Sequence, residues 1–170
     1  MPTNATMASF KNLEAYSTYE VIVKGTNELG VQIIRGSKNI ETLSDHPMLA
    51  PKKGSASALT QAIHFTWEQI KSSLYDETTC RLQRGQSDGY YIELHGLSPW
   101  SPKGLIENKS TDYNEYYAKG LNYFSNYSLT VYVKNKNGSY NKNMPLTIRG
   151  TTNPYPPEVC NFKEQSMFSF

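Results

Sequence analysis

The chain of 170 residues has no apolar run of the roughly 20 residues that a helix needs to cross a bilayer. It also has no charged-then-apolar leader at its start. Read literally, that describes a cytoplasmic protein; read as a fragment, it places leader and membrane span outside this piece. Excess charge of either sign is missing too. Seventeen Lys and Arg against fifteen Asp and Glu leave a net charge of +2. The basic residues are scattered rather than gathered on one stretch, which argues against a nucleic-acid partner and for an ordinary solvated surface. Cysteine is scarce. Cys80 and Cys160 sit in no metal-ligand spacing and suit either a reduced protein or an extracellular one whose partner cysteines lie elsewhere. No amphipathic helical face of useful length occurs. The nearest candidate, 62–74, shows the alternation Ile63, Phe65, Trp67 instead.

Catalytic signatures are equally lacking. The chain holds no nucleophile motif, no phosphate-cradling glycine loop and no paired carboxylates. His46, His64 and His95 come from a junction, a strand and a strand end. None has a carboxylate, cysteine or serine spaced for a relay or a metal cage, and His64 and His95 fall on the outward phase of their strands. The expectation is three solvated imidazoles, no catalytic residue and no cofactor.

What the chain does have is tyrosine, thirteen of them, with nine prolines, eleven glycines and short apolar runs between polar stretches. This suits a turn-rich all-β protein. It also repeats itself. At an offset of 108, Lys11, Leu13, Ser17, Tyr19, Val23, Asn27 and Gly30 are identical to Lys119, Leu121, Ser125, Tyr127, Val131, Asn135 and Gly138. Unrelated segments of this length would share about one residue, and units of about 100 residues that repeat are tandem domains rather than a solenoid.

In each copy Tyr19, Val21 and Val23, or Tyr127, Leu129, Val131 and Val133, alternate with outward residues, as on a half-buried strand. Asn27 to Gly30 and Asn135 to Gly138 tolerate positive φ and predict a turn. The return strands are expected at Val31–Arg35 and Pro145–Gly150, each shorter than its partner, with Leu146 and Ile148 inward.

A leucine, a tyrosine six residues on, alternating apolar residues, an asparagine after eight and a glycine after eleven resemble the F strand and FG loop of fibronectin type III domains. Both copies match. The resemblance implies a tandem, all-β, immunoglobulin-like β-sandwich, with Tyr19 and Tyr127 as the corner tyrosines whose hydroxyls bond nearby backbone. Ile63 to Trp67 is similar to the B strand with the family's core tryptophan. Gly89 to Leu94 is similar to the C strand, with Tyr90, Ile92 and Leu94 inward. The structural core implied is Trp67, Tyr90, Ile92, Leu121, Tyr127, Leu129 and Val131, with Leu13 and Tyr19 in the earlier copy.

Pro47 and Pro51 before this unit, and Pro154, Pro156 and Pro157 after it, resemble the proline-bearing junctions between modules. The implied division is 1–46, the C-terminal part of one domain; 47–153, a complete one; and 154–170, the start of a third. In that third, Glu158 to Asn161 look like an A strand and Met167 to Phe170 like the beginning of a B strand. The departure from the family is the long stretch between Trp67 and Gly89, where Thr79 to Gln83 are expected as a short strand. Two or three strands with one apolar face cannot bury enough to fold alone. Residues 1–46 are therefore expected to stay disordered in isolation or to associate through open edges.

Four sequons mark glycosylation candidates: Asn4, Asn108 in a polar loop, Asn126 on an outward strand phase and Asn137 in the FG loop. Cys80 and Cys160 belong near opposite poles of a sandwich about 30 to 35 Å long, too far for a bridge that needs Cα atoms within about 7 Å. Tyr113, Tyr116, Tyr117, Tyr123, Tyr127 and Tyr132 could form a recognition surface, but a division between core and ordinary strand positions is expected.

The resemblance implies a non-catalytic binding and spacer module of an extracellular receptor or adhesion protein. Its partners would be protein ligands or neighbouring receptor domains, with no membrane contact by this segment itself. The segment from Cys80 through Gly89 to Gly96 loosely resembles repeats of receptor-type tyrosine phosphatase ectodomains. Two alternatives remain: a soluble secreted or intracellular interaction protein of the same repeats, and a carbohydrate-binding sandwich attached to a hydrolase. Fold alone does not choose among these.

Overall fold

A computed structural model of the chain describes residues 7–70 and 81–156. Nine strands are described: β1 (Thr18–Thr26), β2 (Gln32–Glu41), β3 (Lys52–Ala58), β4 (Ala62–Glu68), β5 (Ser87–Gly96), β6 (Gly104–Thr111), β7 (Glu115–Lys119), β8 (Asn126–Asn135) and β9 (Leu146–Thr151). All pairings are antiparallel. β1 and β2 form a two-stranded hairpin. The other seven form two sheets, of order β3-β4-β7 and β6-β5-β8-β9.

The two larger sheets close face to face because their strands alternate. Ile63, Phe65 and Trp67 of β4 and Tyr116 and Ala118 of β7 supply one inner face. Tyr90, Ile92 and Leu94 of β5, Tyr127, Leu129, Val131 and Val133 of β8 and Ile148 of β9 supply the other, and Leu121 joins them from the loop after β7. Trp67 meets Tyr90 edge to face, with ring centroids 5.3 Å apart. β3 lies close across this core. A Cβ on Gly54 would stand 2.4 Å from Ile148 Cγ1, so only glycine allows that approach.

The repeated segment repeats in detail. Tyr127 Oη accepts the backbone N–H of Asn122 at 3.0 Å, and Tyr19 Oη accepts that of Glu14 at 2.8 Å. Beside each tyrosine a threonine closes the same corner. Thr152 Oγ1 accepts the N–H of Ser125 at 2.9 Å and donates to the carbonyl of Asn122 at 2.6 Å. Thr42 Oγ1 accepts from Ser17 at 2.9 Å and donates to Glu14 at 2.6 Å. Left-handed backbone recurs too, with positive φ at Asn12 and Tyr16 in one copy and at Gly120 and Phe124 in the other.

What differs is the surrounding. Tyr127 is only 1% exposed, whereas Tyr19 is half-buried and Leu13 is 38% exposed. Leu13 is therefore not a core residue in this chain. Among the described residues no second sheet lies over β1 and β2, so the face that Leu121 buries in one copy remains open in the other. This contrast predicts a pair of unequal results. Tyr127→Phe removes the acceptor of the part-buried Asn122 N–H and should cost about 0.5 to 1.5 kcal/mol in chemical denaturation. Tyr19→Phe should leave the sandwich's midpoint unchanged, and a matching loss would show that hairpin and sandwich unfold as one unit.

Other expectations need correction. The return strand of the first copy extends well past Arg35, because a register shift after Val23 lets β2 keep pairing to Glu41; it is not shorter than β1. The second return strand, β9, is shorter than β8 as expected. Residues 81–83 form a helical turn rather than a strand, and Thr79 and Cys80 lie outside the described residues. Asn108 lies on the edge strand β6, not in a loop. Cys160, and most of the proposed third module from Pro157 onward, also lie outside the described residues.

The open side between β6 and β7 is closed by charge. Tyr116 Oη donates to Glu107 Oε2 at 2.6 Å, and Lys109 Nζ reaches Glu107 at 3.0 Å while lying 4.4 Å from the Tyr116 ring centre. The hydrogen bond from Tyr116 holds the Glu107 carboxyl below its ordinary range, against opposing burial and with help from Lys109. Burial, then Glu107, pushes the Tyr116 phenol up. A carboxylate with a depressed folded pKa contributes stability that is present above its unfolded value, near 4.3, and is lost as pH falls through the folded value. Stability should therefore fall on acidification below about pH 4.5. Glu107→Gln should flatten that part of the profile; an unchanged slope would place the acid sensitivity elsewhere.

Candidate functional site

Among the described residues the sandwich presents two poles and two outer faces. At the pole where β3 starts and β8 ends, the linker between hairpin and sandwich is built into the fold. Pro47 is fully buried and Leu49 packs against the core. The linker backbone pairs with the segment before β5, Asp45 N–H to the Arg84 carbonyl at 2.9 Å and Met48 N–H to the Leu82 carbonyl at 2.6 Å.

Asn135, at the end of β8, has no exposed surface. Its Nδ2 donates to the carbonyl of Asp45 at 2.7 Å and to that of Gln83 at 3.1 Å. A single amide thus ties the linker, the segment before β5 and β8 together. Ion pairs rim the joint, Arg84 with Asp45 at 2.9 Å and Arg81 with Glu14 of the first corner at 2.5 Å. An open groove of about 470 Å³ runs between His46 and residues 138–142.

The opposite pole is apolar. Leu59, Leu97, Trp100, Phe124 and Tyr155 are all exposed, Trp100 by 70%. Their loops are stitched together, Asn153 N–H to the Leu59 carbonyl, Phe124 N–H to the Asn153 carbonyl and Leu97 N–H to the Asn126 carbonyl. Asn122 Nδ2 donates to the carbonyl of Trp100. Exposed tryptophan on such a scaffold has the character of an interface anchor.

The tyrosines divide between core and ordinary surface positions, as expected, rather than forming one recognition surface. Tyr116 and Tyr127 are core; Tyr113 is exposed in the β6–β7 turn; Tyr117 stacks on His64; and Tyr123 meets Tyr155 edge to face. A different group gathers on the outer face of the four-stranded sheet. Tyr91 and Tyr140 stack at 4.4 Å, and Tyr132 lies beside both and donates to Glu93 at 3.3 Å. Tyr91 and Tyr132 were findable as opposed outward positions; Tyr140 arrives only because residues after the turn fold back to bridge Lys134.

Of the histidines, His64 is not simply solvated. Its Nε2 is 2.9 Å from Glu115 Oε2, and its ring stacks on Tyr117 at 3.9 Å. Neighbouring strands brought this carboxylate to it across 51 residues, beyond any spacing a motif would show. No hydroxyl or thiol among the described residues is bonded to the ring, so the pair is a contact between β4 and β7 rather than a relay. Among the described residues no three His, Cys, Asp or Glu converge on a metal position, and no helix is long and apolar enough to cross a membrane.

Asn4 lies outside the described residues. Asn108 and Asn137 are exposed, on β6 and in the turn after β8. Asn126 begins β8, with its Oδ1 taking the Thr151 hydroxyl at 2.6 Å.

In sequence, no protein-family model and no curated protein matches the chain. In structure it is similar to domains d3–d4 of the rat CD45 extracellular region, with a TM-score of 0.57 and 16% identity over 89% of this chain and 72% of that one. It is also similar to the FN1–FN3 domains of chicken CNTN1, with a TM-score of 0.51 and 18% identity over 86% of this chain, which spans under half of that one at 46%. The third fibronectin III domain of the human KIAA0343 protein matches at a TM-score of 0.51 and 18% identity over 68% of this chain and 90% of its own. At these identities the likeness is one of fold.

Proposed function

We propose, from the premise that the chain is built on the fibronectin type III fold, that it is a non-catalytic binding and spacer piece of an extracellular receptor or adhesion protein. The observation that carries this reading is the joint. A linker whose proline is buried and whose backbone is held by Asn135 transmits orientation from one module to the next, as a spacer requires and a free-standing enzyme does not. The CD45 and CNTN1 segments of the same fold are multi-domain pieces, the first from an extracellular region, which supports the same placement here.

Under this reading residues 1–46 are the end of one module, 47–153 a complete one and 154–170 the start of a third. The doubled corner supports the division, as does the open face of the β1–β2 hairpin. The apolar pole around Trp100 then receives the following module. The first corner already meets the second module in that way, through Glu14 and Arg81.

Limited proteolysis should remove the hairpin and leave a core beginning inside the bonded linker, at about residue 44, and ending near 153. A hairpin that resists digestion would sink the claim that it is incomplete. For function, a multimerised form of the chain, secreted from animal cells, should bind cells through a protein ligand. Binding should vanish when those cells are treated with protease and should survive excess soluble polysaccharide. Competition by polysaccharide would move the reading to carbohydrate recognition, and absence of all binding would remove the adhesive part.

A further inference from the structure

The three described sequons are not equivalent, and their geometry separates them. In Asn126-Tyr127-Ser128 the acceptor opens β8, which is paired on both sides, Asn126 Oδ1 is engaged by Thr151, and Ser128 is buried. In Asn137-Gly138-Ser139 the side chain is engaged at both ends, by its own turn and by the segment after β2. Its Nδ2 donates to Ser44 Oγ at 2.9 Å, and its Oδ1 accepts the Ser139 N–H at 3.0 Å.

Asn108-Lys109-Ser110 differs on every count. Among the described residues β6 pairs only with β5, which leaves its other edge open there. Alternation sends Lys109 inward to Glu107 and the Tyr116 ring and leaves Asn108 and Ser110 on the outer face. Both are exposed, and among the described residues neither side chain makes a hydrogen bond. The amide to be modified and the hydroxyl that marks it are thus presented together, already extended.

We propose that Asn108 is an N-glycan attachment site, and that its glycan covers the open edge of β6 and the adjoining outer face of the four-stranded sheet. The inference rests on the extracellular reading above, which supplies the transferase and a lipid diphosphate-linked oligosaccharide. Asn108 Nδ2 forms the new bond to the anomeric carbon of the first sugar. The bond from that carbon to the phosphate oxygen breaks, the lipid diphosphate leaves with the electron pair, and one amide proton passes to a base of the transferase.

Once attached, the glycan projects beside Glu93, which faces Asn108 across the ladder, and toward Tyr91, which faces Ser110. An open edge strand is a template for pairing with another chain. The inward-facing Glu107 and Lys109 discourage such pairing from inside, and a glycan on Asn108 blocks it from outside. Protein ligands are thereby directed to the poles and to the face of β3, β4 and β7.

The test is secretion of the whole chain from animal cells, with site occupancy read by peptide mass spectrometry after enzymatic glycan release in heavy-oxygen water. The expected result is a high-occupancy Asn108, with Ser110→Ala and Asn108→Gln each removing the mass of one glycan. Sedimentation should then show both variants self-associating at concentrations where the glycosylated chain is monomeric. Occupancy at Asn137 or Asn126 with Asn108 empty would overturn the proposal and leave the secretory reading standing. Three empty sites would overturn both. An occupied Asn108 whose loss leaves sedimentation unchanged would overturn the edge-blocking role.

Discussion

Trp67→Ala should cost the sandwich about 3 to 5 kcal/mol, the range for deleting a buried tryptophan or phenylalanine side chain. The ring is almost fully enclosed, sits edge to face on Tyr90 and shares one core with Tyr127. Its Nε1 is buried with no acceptor among the described residues, so the side chain works through packing rather than through a hydrogen bond. Trp67→Phe, which keeps most of the apolar volume and removes no bond, should therefore cost distinctly less than the alanine variant. Circular dichroism is the right probe for denaturation. The chain's other tryptophan, Trp100, is exposed and would dominate fluorescence once Trp67 is gone. A loss below about 1 kcal/mol for the alanine variant would show that Trp67 does not close the core.

Asn135→Asp should be nearly as damaging, at about 3 kcal/mol or more, although it changes one atom's identity. The amide donates to carbonyls of Asp45 and Gln83, with Arg84's carbonyl 3.4 Å away. A carboxylate in that place has no proton to give and faces carbonyl oxygens instead, inside a pocket without exposure. It must either repel the linker or take up a proton. The linker should then open, and new protease cleavage should appear between residues 42 and 51.

Asn27→Asp is the matched control. At the equivalent position of the first copy, Asn27 uses Oδ1 to accept the N–H groups of Leu29 and Val31 at an exposed turn. An aspartate preserves both bonds, so the change should stay within about 0.5 kcal/mol. Equal effects at the two positions would refute the assignment of Asn135 as the tie between linker and sandwich.

That pair shows how far a linear reading reaches. Asn27 and Asn135 occupy the same place in the repeat and make the same backbone turn, accepting the N–H of Gly30 and Gly138. Their side chains do different work because Asn135 meets a segment 90 residues away in the chain, whereas Asn27 reaches only its own turn. Thr42 and Thr152 do not stand out in the linear sequence for a related reason. They are 110 residues apart while the tyrosines they serve are 108 apart, since the return segments differ in length. The offset that exposed the repeat therefore does not align them.

Taken alone, the order of residues determined the alternation that buries Ile63, Phe65 and Trp67, the paired corner tyrosines, and with them an all-β sandwich preceded by a second copy of its corner. Those signals survive in one dimension because side-chain phase has a period of two and a corner bond spans five residues. Packing alone decided that Leu13 stays exposed, that Tyr91, Tyr132 and Tyr140 gather on one face, that Asn135 locks the linker, and that Asn108 rather than Asn126 is presented. Each of those outcomes depends on which distant strand arrives alongside, and that is set by how two sheets close over a shared core.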